Sequence, residues 1–174
     1  MSNGATSAAA QVDAGYLGGD HGMGGWFSTF DHKKIAMMFL AWTLGTFLLG
    51  AIFAMNMKLK AASGEVDPAI YHQTMTYHGI VMVFMFLVPA IPSVLGYFLL
   101  PLQLGARNLA LPMLSRCALR FFGVGSILMM LSLAFGPVDM GWTFITPFTL
   151  SSGGAFALLA FGLAFMALSW AATG

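Results

Sequence analysis

Charged residues are confined to short segments of this 174-residue chain, and the stretches between them are long and apolar. A bilayer's hydrocarbon core is about 30 Å thick and is crossed by a helix of around 20 apolar residues. The pattern therefore predicts a membrane helix over 35–57, bounded by Lys33-Lys34 and Lys58, and a longer one over about 70–100, between Asp67 and Arg107. A third span is expected over 118–138. A fourth is expected over 155–174, cut short where the chain ends. The predicted fold class is all-α integral membrane.

Residues 26–174 form the expected membrane domain. Residues 1–25, rich in Ala, Gly and Ser, have neither the basic start nor the apolar core of a secretory signal, and are expected to be a disordered cytoplasmic tail. Trp26 and Phe27, in the segment Gly24 to Phe30, suit aromatic anchors at headgroup level. Lys33, Lys34, Arg107, Arg116 and Arg120 fall on one side of the predicted bundle, and only Lys58 and Lys60 on the other. The positive-inside bias then places the N-terminus in the cytoplasm. The segments 58–69 and 136–154 face outward, with His78 in the outer half of the second helix. Thr46, Gly50 and Ala54 on the first span, and Ala160 and Ala164 on the fourth, supply small residues for close helix contacts. Pro89 and Pro92 predict a bend in the second span.

Composition agrees with a membrane protein: 59% of residues are hydrophobic and 7% charged, against about 25% charged in soluble domains. The net charge of +1 gives no electrostatic footprint for nucleic acid. Cys117 is the single cysteine, so it forms no internal disulfide and builds no thiolate metal site alone. The 14 methionines are scattered through apolar runs, where flexible packing is their ordinary use.

Chemistry concentrates at His78. An imidazole in a membrane helix needs a partner, and ionisable groups there are functional candidates. Thr74, Tyr77, His78, Val81, Met82 and Met85 share one face at helical spacing, a flat apolar surface topped by a ring nitrogen. Such a face suits a haem pocket with axial histidine ligation. A bond to a neighbouring carbonyl or water would satisfy the same ring. His21, His32 and His72 lie outside the spans or near the interface, where no ligand role is required.

Several segments carry a resemblance: Asp31-His32-Lys33-Lys34-Ile35, Tyr77-His78-Gly79, Val81-Met82-Val83-Phe84, Leu100-Pro101 through Gly105-Ala106, and Gly141-Trp142-Thr143. In order and spacing they resemble subunit I of the haem-copper oxidases. The resemblance implies a twelve-helix bundle, of which this chain would hold the first four helices, the fourth incompletely. It implies that His78 is one of two axial ligands of a low-spin haem, the other lying on a later helix, and that Trp142 lies near the haem propionates. An indole N–H is a suitable donor to a carboxylate. The implied enzyme is a bacterial inner-membrane cytochrome c oxidase coupling electron transfer to proton translocation. Its implied partners are the remaining helices of subunit I, subunits II and III, and cytochrome c. A high-spin haem, copper B and a copper centre on a partner subunit complete the implied cofactors, and the fragment alone is expected to lack oxygen-reducing activity.

Three departures from the family pattern stand out. Lys58 replaces an arginine that faces the formyl group where haem A is used, so a point charge stands in for a planar fork. Haem A remains the implied cofactor. Asn108 and Tyr97 occupy positions that many members give to a proton-route aspartate and asparagine, and an amide releases no proton at neutral pH. Lys60 replaces a carboxylate that binds calcium or sodium in some relatives. Two alternatives stay open: a relative of the nitric oxide reductase large subunit, and a non-catalytic structural membrane subunit.

Overall fold

A computed structural model describes residues 23–64, 66–146 and 153–173; the expected tail thus lies outside the described residues except for its last three. A short helix α1, Met23–Ser28, precedes four long helices: α2, His32–Ser63; α3, Pro68–Leu104; α4, Pro112–Leu131, continued by a 3-10 turn Ser132–Phe135; and α5, Gly153–Thr173. All four are long and apolar enough to cross a membrane, and no strand occurs among the described residues. The protein is an all-α, multi-pass membrane protein.

The helix ends follow from local chemistry. The Asp31 carboxylate caps α2 by accepting from the Lys33 N–H at 3.1 Å, and Gly64 closes it at φ 74°. Asp67 caps α3 in the same way through Ala69 N–H at 2.9 Å, with Pro68 in the first turn, where a missing N–H costs nothing. Helix α4 begins at Pro112, ahead of the 118–138 expected from hydropathy, and gives way at Gly136, whose φ of 126° is followed by Pro137.

Pro89 and Pro92 do not end α3. The helix carries two π-helical segments there, Val81–Leu87 and Ala90–Gly96, and resumes to Leu104. In an α-helical register the Pro89 nitrogen would serve the Met85 carbonyl, but proline has no N–H to donate. The Thr46 hydroxyl of α2 lies 3.1 Å from that carbonyl and shares its proton with the Thr43 carbonyl at 2.9 Å. A threonine of a neighbouring helix thus re-satisfies a backbone group that lipid cannot.

Helix pairing uses small residues where backbones approach. A Cβ on Gly50 would come within 2.6 Å of the Met82 sulfur, seating α2 against α3. Gly125 and Gly162 do the same for α4 and α5: a Cβ on either would meet the other's carbonyl oxygen within 2.9 Å. Gly162, with Ala155 and Ser169, is the buried side of α5, whereas Ala164 is exposed. The Ser169 hydroxyl donates to the Ala118 carbonyl at 2.8 Å across this pair. Phe39, Tyr97 and Phe122 fill the core towards the cationic end, with ring centroids 5.9 and 5.3 Å from Phe39.

At that end, side chains tie α1 to the bundle. The Arg116 guanidinium donates to the Ser28 carbonyl at 2.8 Å and lies 3.9 Å from the Phe30 ring centre. The Asn108 amide donates to the Phe30 carbonyl at 3.1 Å, and its oxygen accepts from Leu109 N–H and from His32 Nδ1 at 3.2 Å.

Candidate functional site

His78 sits in the third turn of α3, half-buried, with Nδ1 2.9 Å from the Gly50 carbonyl of α2. A carbonyl oxygen only accepts, so Nδ1 carries the proton and Nε2 keeps the lone pair. This is the arrangement in which a histidine is oriented by one nitrogen and can bind metal through the other. Nε2 has no hydrogen-bond partner among the described residues. Both alternatives raised by the sequence therefore apply to one ring, each to a different nitrogen: a backbone carbonyl satisfies Nδ1, and Nε2 is chemically fit to ligate. No group of three or more His, Cys, Asp or Glu side chains that could hold a metal ion occurs among the described residues. One imidazole nitrogen suits an axial position on an iron otherwise held by a porphyrin.

The remainder of the helical face differs from the open wall expected. Tyr77, Val81 and Met85 are fully buried in helix contacts, and Met82 lies on Gly50. The Tyr77 hydroxyl is 2.7 Å from Ser132 Oγ, whose own proton goes to the Met129 carbonyl at 2.6 Å, so Tyr77 is the donor. Packing uses this face because a largely apolar surface in lipid is as useful to a neighbouring helix as to a ligand.

Trp142 is brought to His78 through the loop after α4. The Gly141 N–H donates to Thr76 Oγ1 at 3.1 Å, which docks the loop on α3. Trp142 then rests on Gly79: a Cβ there would lie 2.7 Å from Trp142 Cβ, Cγ and Cδ1. Its ring centre is 6.4 Å from that of Phe84, which in turn is 6.0 Å from Trp170. Trp142 stays 42% exposed, so part of its surface is open to a group outside the described residues.

Lys58 is not drawn into this cluster. It lies two turns beyond Gly50, about 12 Å along α2, and is exposed, with no hydrogen-bond or ion-pair partner among the described residues. His72 is exposed, His32 is held by Asn108, and His21 lies outside the described residues. Tyr97 is buried, and its hydroxyl has no partner among the described residues. Gly79, Thr76 and the Gly50 carbonyl were not singled out as site residues by sequence. The glycine directly after His78 was the available signal; a backbone carbonyl leaves none.

A sequence profile described as Cytochrome C and Quinol oxidase polypeptide I matches residues 34–174. Among curated proteins, the chain is 36% identical over 126 residues to a cytochrome c oxidase subunit 1 of Synechocystis sp., covering 71% of this chain and 23% of that protein. It is 33% identical over 129 residues to the cytochrome c oxidase subunit 1 of Thermostichus vulcanus, covering 70% and 23%. A cytochrome bo(3) ubiquinol oxidase subunit 1 of Buchnera aphidicola is 33% identical over 129 residues, covering 70% and 19%. The match thus spans less than a quarter of the length of these relatives.

Proposed function

The chain belongs to the family of cytochrome c and quinol oxidase polypeptide I, and on that premise we propose that it forms the N-terminal helices of subunit I of a terminal oxidase and supplies one axial ligand, His78 Nε2, to a low-spin haem. The observation that carries this reading is the bond from His78 Nδ1 to the Gly50 carbonyl. It fixes the tautomer and the ring orientation before any ligand arrives, so little ordering remains to be done on binding. When bound, the low-spin haem supplies one-electron exchange between an external donor and the oxygen-reducing centre.

The other residues of the site position and shield. Gly50 and Gly79 allow α2 and Trp142 to close on α3 on either side of His78. The Trp142 indole N–H is the donor proposed for a haem propionate, and Lys58, although two turns of α2 beyond Gly50, is the cation proposed for the formyl group should the haem be haem A. The complete enzyme would add the later helices of subunit I with the second axial histidine, a high-spin haem and copper B, and subunits II and III, with a copper centre on a partner subunit. Electrons would arrive from cytochrome c, and their transfer would be coupled to proton translocation. Asn108 serves the junction of α1 with the bundle, so proton uptake is assigned to a group other than this amide. The proposed location is a bacterial inner membrane, with the N-terminus cytoplasmic.

A quinol is the second donor considered, because the Buchnera aphidicola relative is named a ubiquinol oxidase. Oxidation of reduced cytochrome c, compared with that of a quinol, by the purified complex separates the two.

Substitution of His78→Ala in the assembled complex tests ligation directly. The low-spin haem band of the reduced-minus-oxidised spectrum should disappear while the subunits still co-purify. An unchanged low-spin band in an assembled variant would overturn the assignment.

A further inference from the structure

We propose that the trough between α2 and α4 holds an anionic phospholipid, its phosphate on Arg116 and Arg120 and one acyl chain along the helices. Two cavities of about 800 and about 540 Å3 share Ala41, Trp42 and Ile127, and so form one continuous trough. It runs from Phe27 and the two arginines to Leu131, with Met85 of α3 at its far end. Apart from its mouth the lining is almost wholly apolar. Gly123 leaves it wide: a Cβ there would stand 3.7 Å from the Trp42 ring, with no other atom but that ring within 4 Å.

The mouth is built for an anion. Arg116 and Arg120 are four residues apart and share a face of α4. Arg116 spends one guanidinium N–H on the Ser28 carbonyl, but its Nε is buried without a hydrogen-bond partner. A buried donor left unpaired is costly, and phosphate oxygens suit the planar guanidinium fork. Arg120 is exposed and has no ion-pair or hydrogen-bond partner among the described residues. Asp31, the carboxylate near this end, already accepts from Lys33 N–H and lies 3.6 Å from the Lys33 ammonium. No carboxylate among the described residues therefore neutralises the two arginines.

Depth agrees with a lipid tail. The stretch of α4 from Arg120 to Leu131 rises about 16 Å, close to one leaflet, which is half of a hydrocarbon core of about 30 Å. A polypeptide helix in the same trough would have to bring its own acidic groups to the mouth. A phosphodiester brings the charge and the apolar chain in one molecule.

The test uses the purified complex containing the full chain, and phosphatidylglycerol carrying a photoreactive diazirine in mid-chain, with a phosphatidylcholine probe of identical chains as the comparison. Cross-linked peptides from α2 and α4 around Trp42 and Gly123 should appear preferentially with phosphatidylglycerol. Arg120→Gln should lower that labelling about fivefold, the effect of removing one basic residue near an anionic headgroup. It should leave phosphatidylcholine labelling unchanged. Gly123→Leu, which fills the trough without altering its charge, should suppress labelling by both probes. Equal labelling by the two probes in the unmodified complex would overturn the proposal, and needs no variant to assemble. Labelling insensitive to both substitutions would do the same, as would a density map with side chains of another helix filling the trough.

Discussion

Gly79 has no side chain, and Trp142 fills the space that one would take. The atoms in the way belong to the base of the indole side chain, Cβ, Cγ and Cδ1, which cannot swing aside without moving the loop. Gly79→Ala should therefore destabilise the protein by about 1–3 kcal/mol, the usual cost of overpacking, and displace Trp142 from α3. Gly45→Ala is the matched control: it sits in the same class of membrane helix with nothing within 4 Å of a new Cβ, and should leave stability unchanged or raise it. Thermal unfolding of the two variants side by side gives the comparison, and equal melting temperatures would remove Gly79 from the site. At this scale His78 was legible as a polar ring in an apolar run, and Trp142 through its motif. The hydrogen bond that orients His78 was not legible. Its acceptor is a main-chain oxygen 28 residues away, and every residue has one.

Helix α3 is where a local rule and a tertiary contact meet. Two prolines in a continuous membrane helix predict a disturbance, and the π-helical segments around them answer to it. Which group serves the carbonyl that Pro89 cannot depends on a neighbour's register, so no reading of 70–100 alone could name Thr46. The spans were legible because hydrocarbon thickness sets a length that a charge-free run either meets or does not. The pairing was less so: α5 offers Ala160, Gly162 and Ala164 within five residues, and only the position of Gly125 on α4 selects Gly162. If Thr46 replaces the donor that Pro89 lacks, the two positions are coupled. Thr46→Val should cost roughly 0.6–2 kcal/mol, the range for a hydrogen bond between membrane helices. With Pro89→Ala also present the cost should shrink, since the alanine restores an N–H for the Met85 carbonyl. A double-mutant cycle on unfolding in mixed micelles reads the coupling directly. Strict additivity would mean that the Thr46 contact does not substitute for the missing donor.

The arrangement of whole helices converts charge placement into an orientation. The start of α2, the end of α3 and the start of α4 meet through Asn108, His32 and Arg116, so Lys33, Lys34, Arg107, Arg116 and Arg120 share one end of the bundle. Lys58 and Lys60 occupy the opposite end of α2. The positive-inside bias supports the proposed orientation, with the N-terminal end of α2 cytoplasmic. In that proposed orientation His78, ten residues into α3 and thus about 15 Å along it, would fall in the outer half of the membrane. That depth favours an electron donor on the outer face, and so the orientation bears on the proposed chemistry as well as on topology. Single cysteines introduced into a Cys117→Ser background report it: Ala61→Cys lies exposed just past Lys60, and Ala110→Cys lies exposed in the loop between α3 and α4. A membrane-impermeant thiol reagent should label the first in intact cells and the second only after the membrane is opened. The reverse pattern would invert the bundle, and with it the side from which electrons are proposed to reach His78.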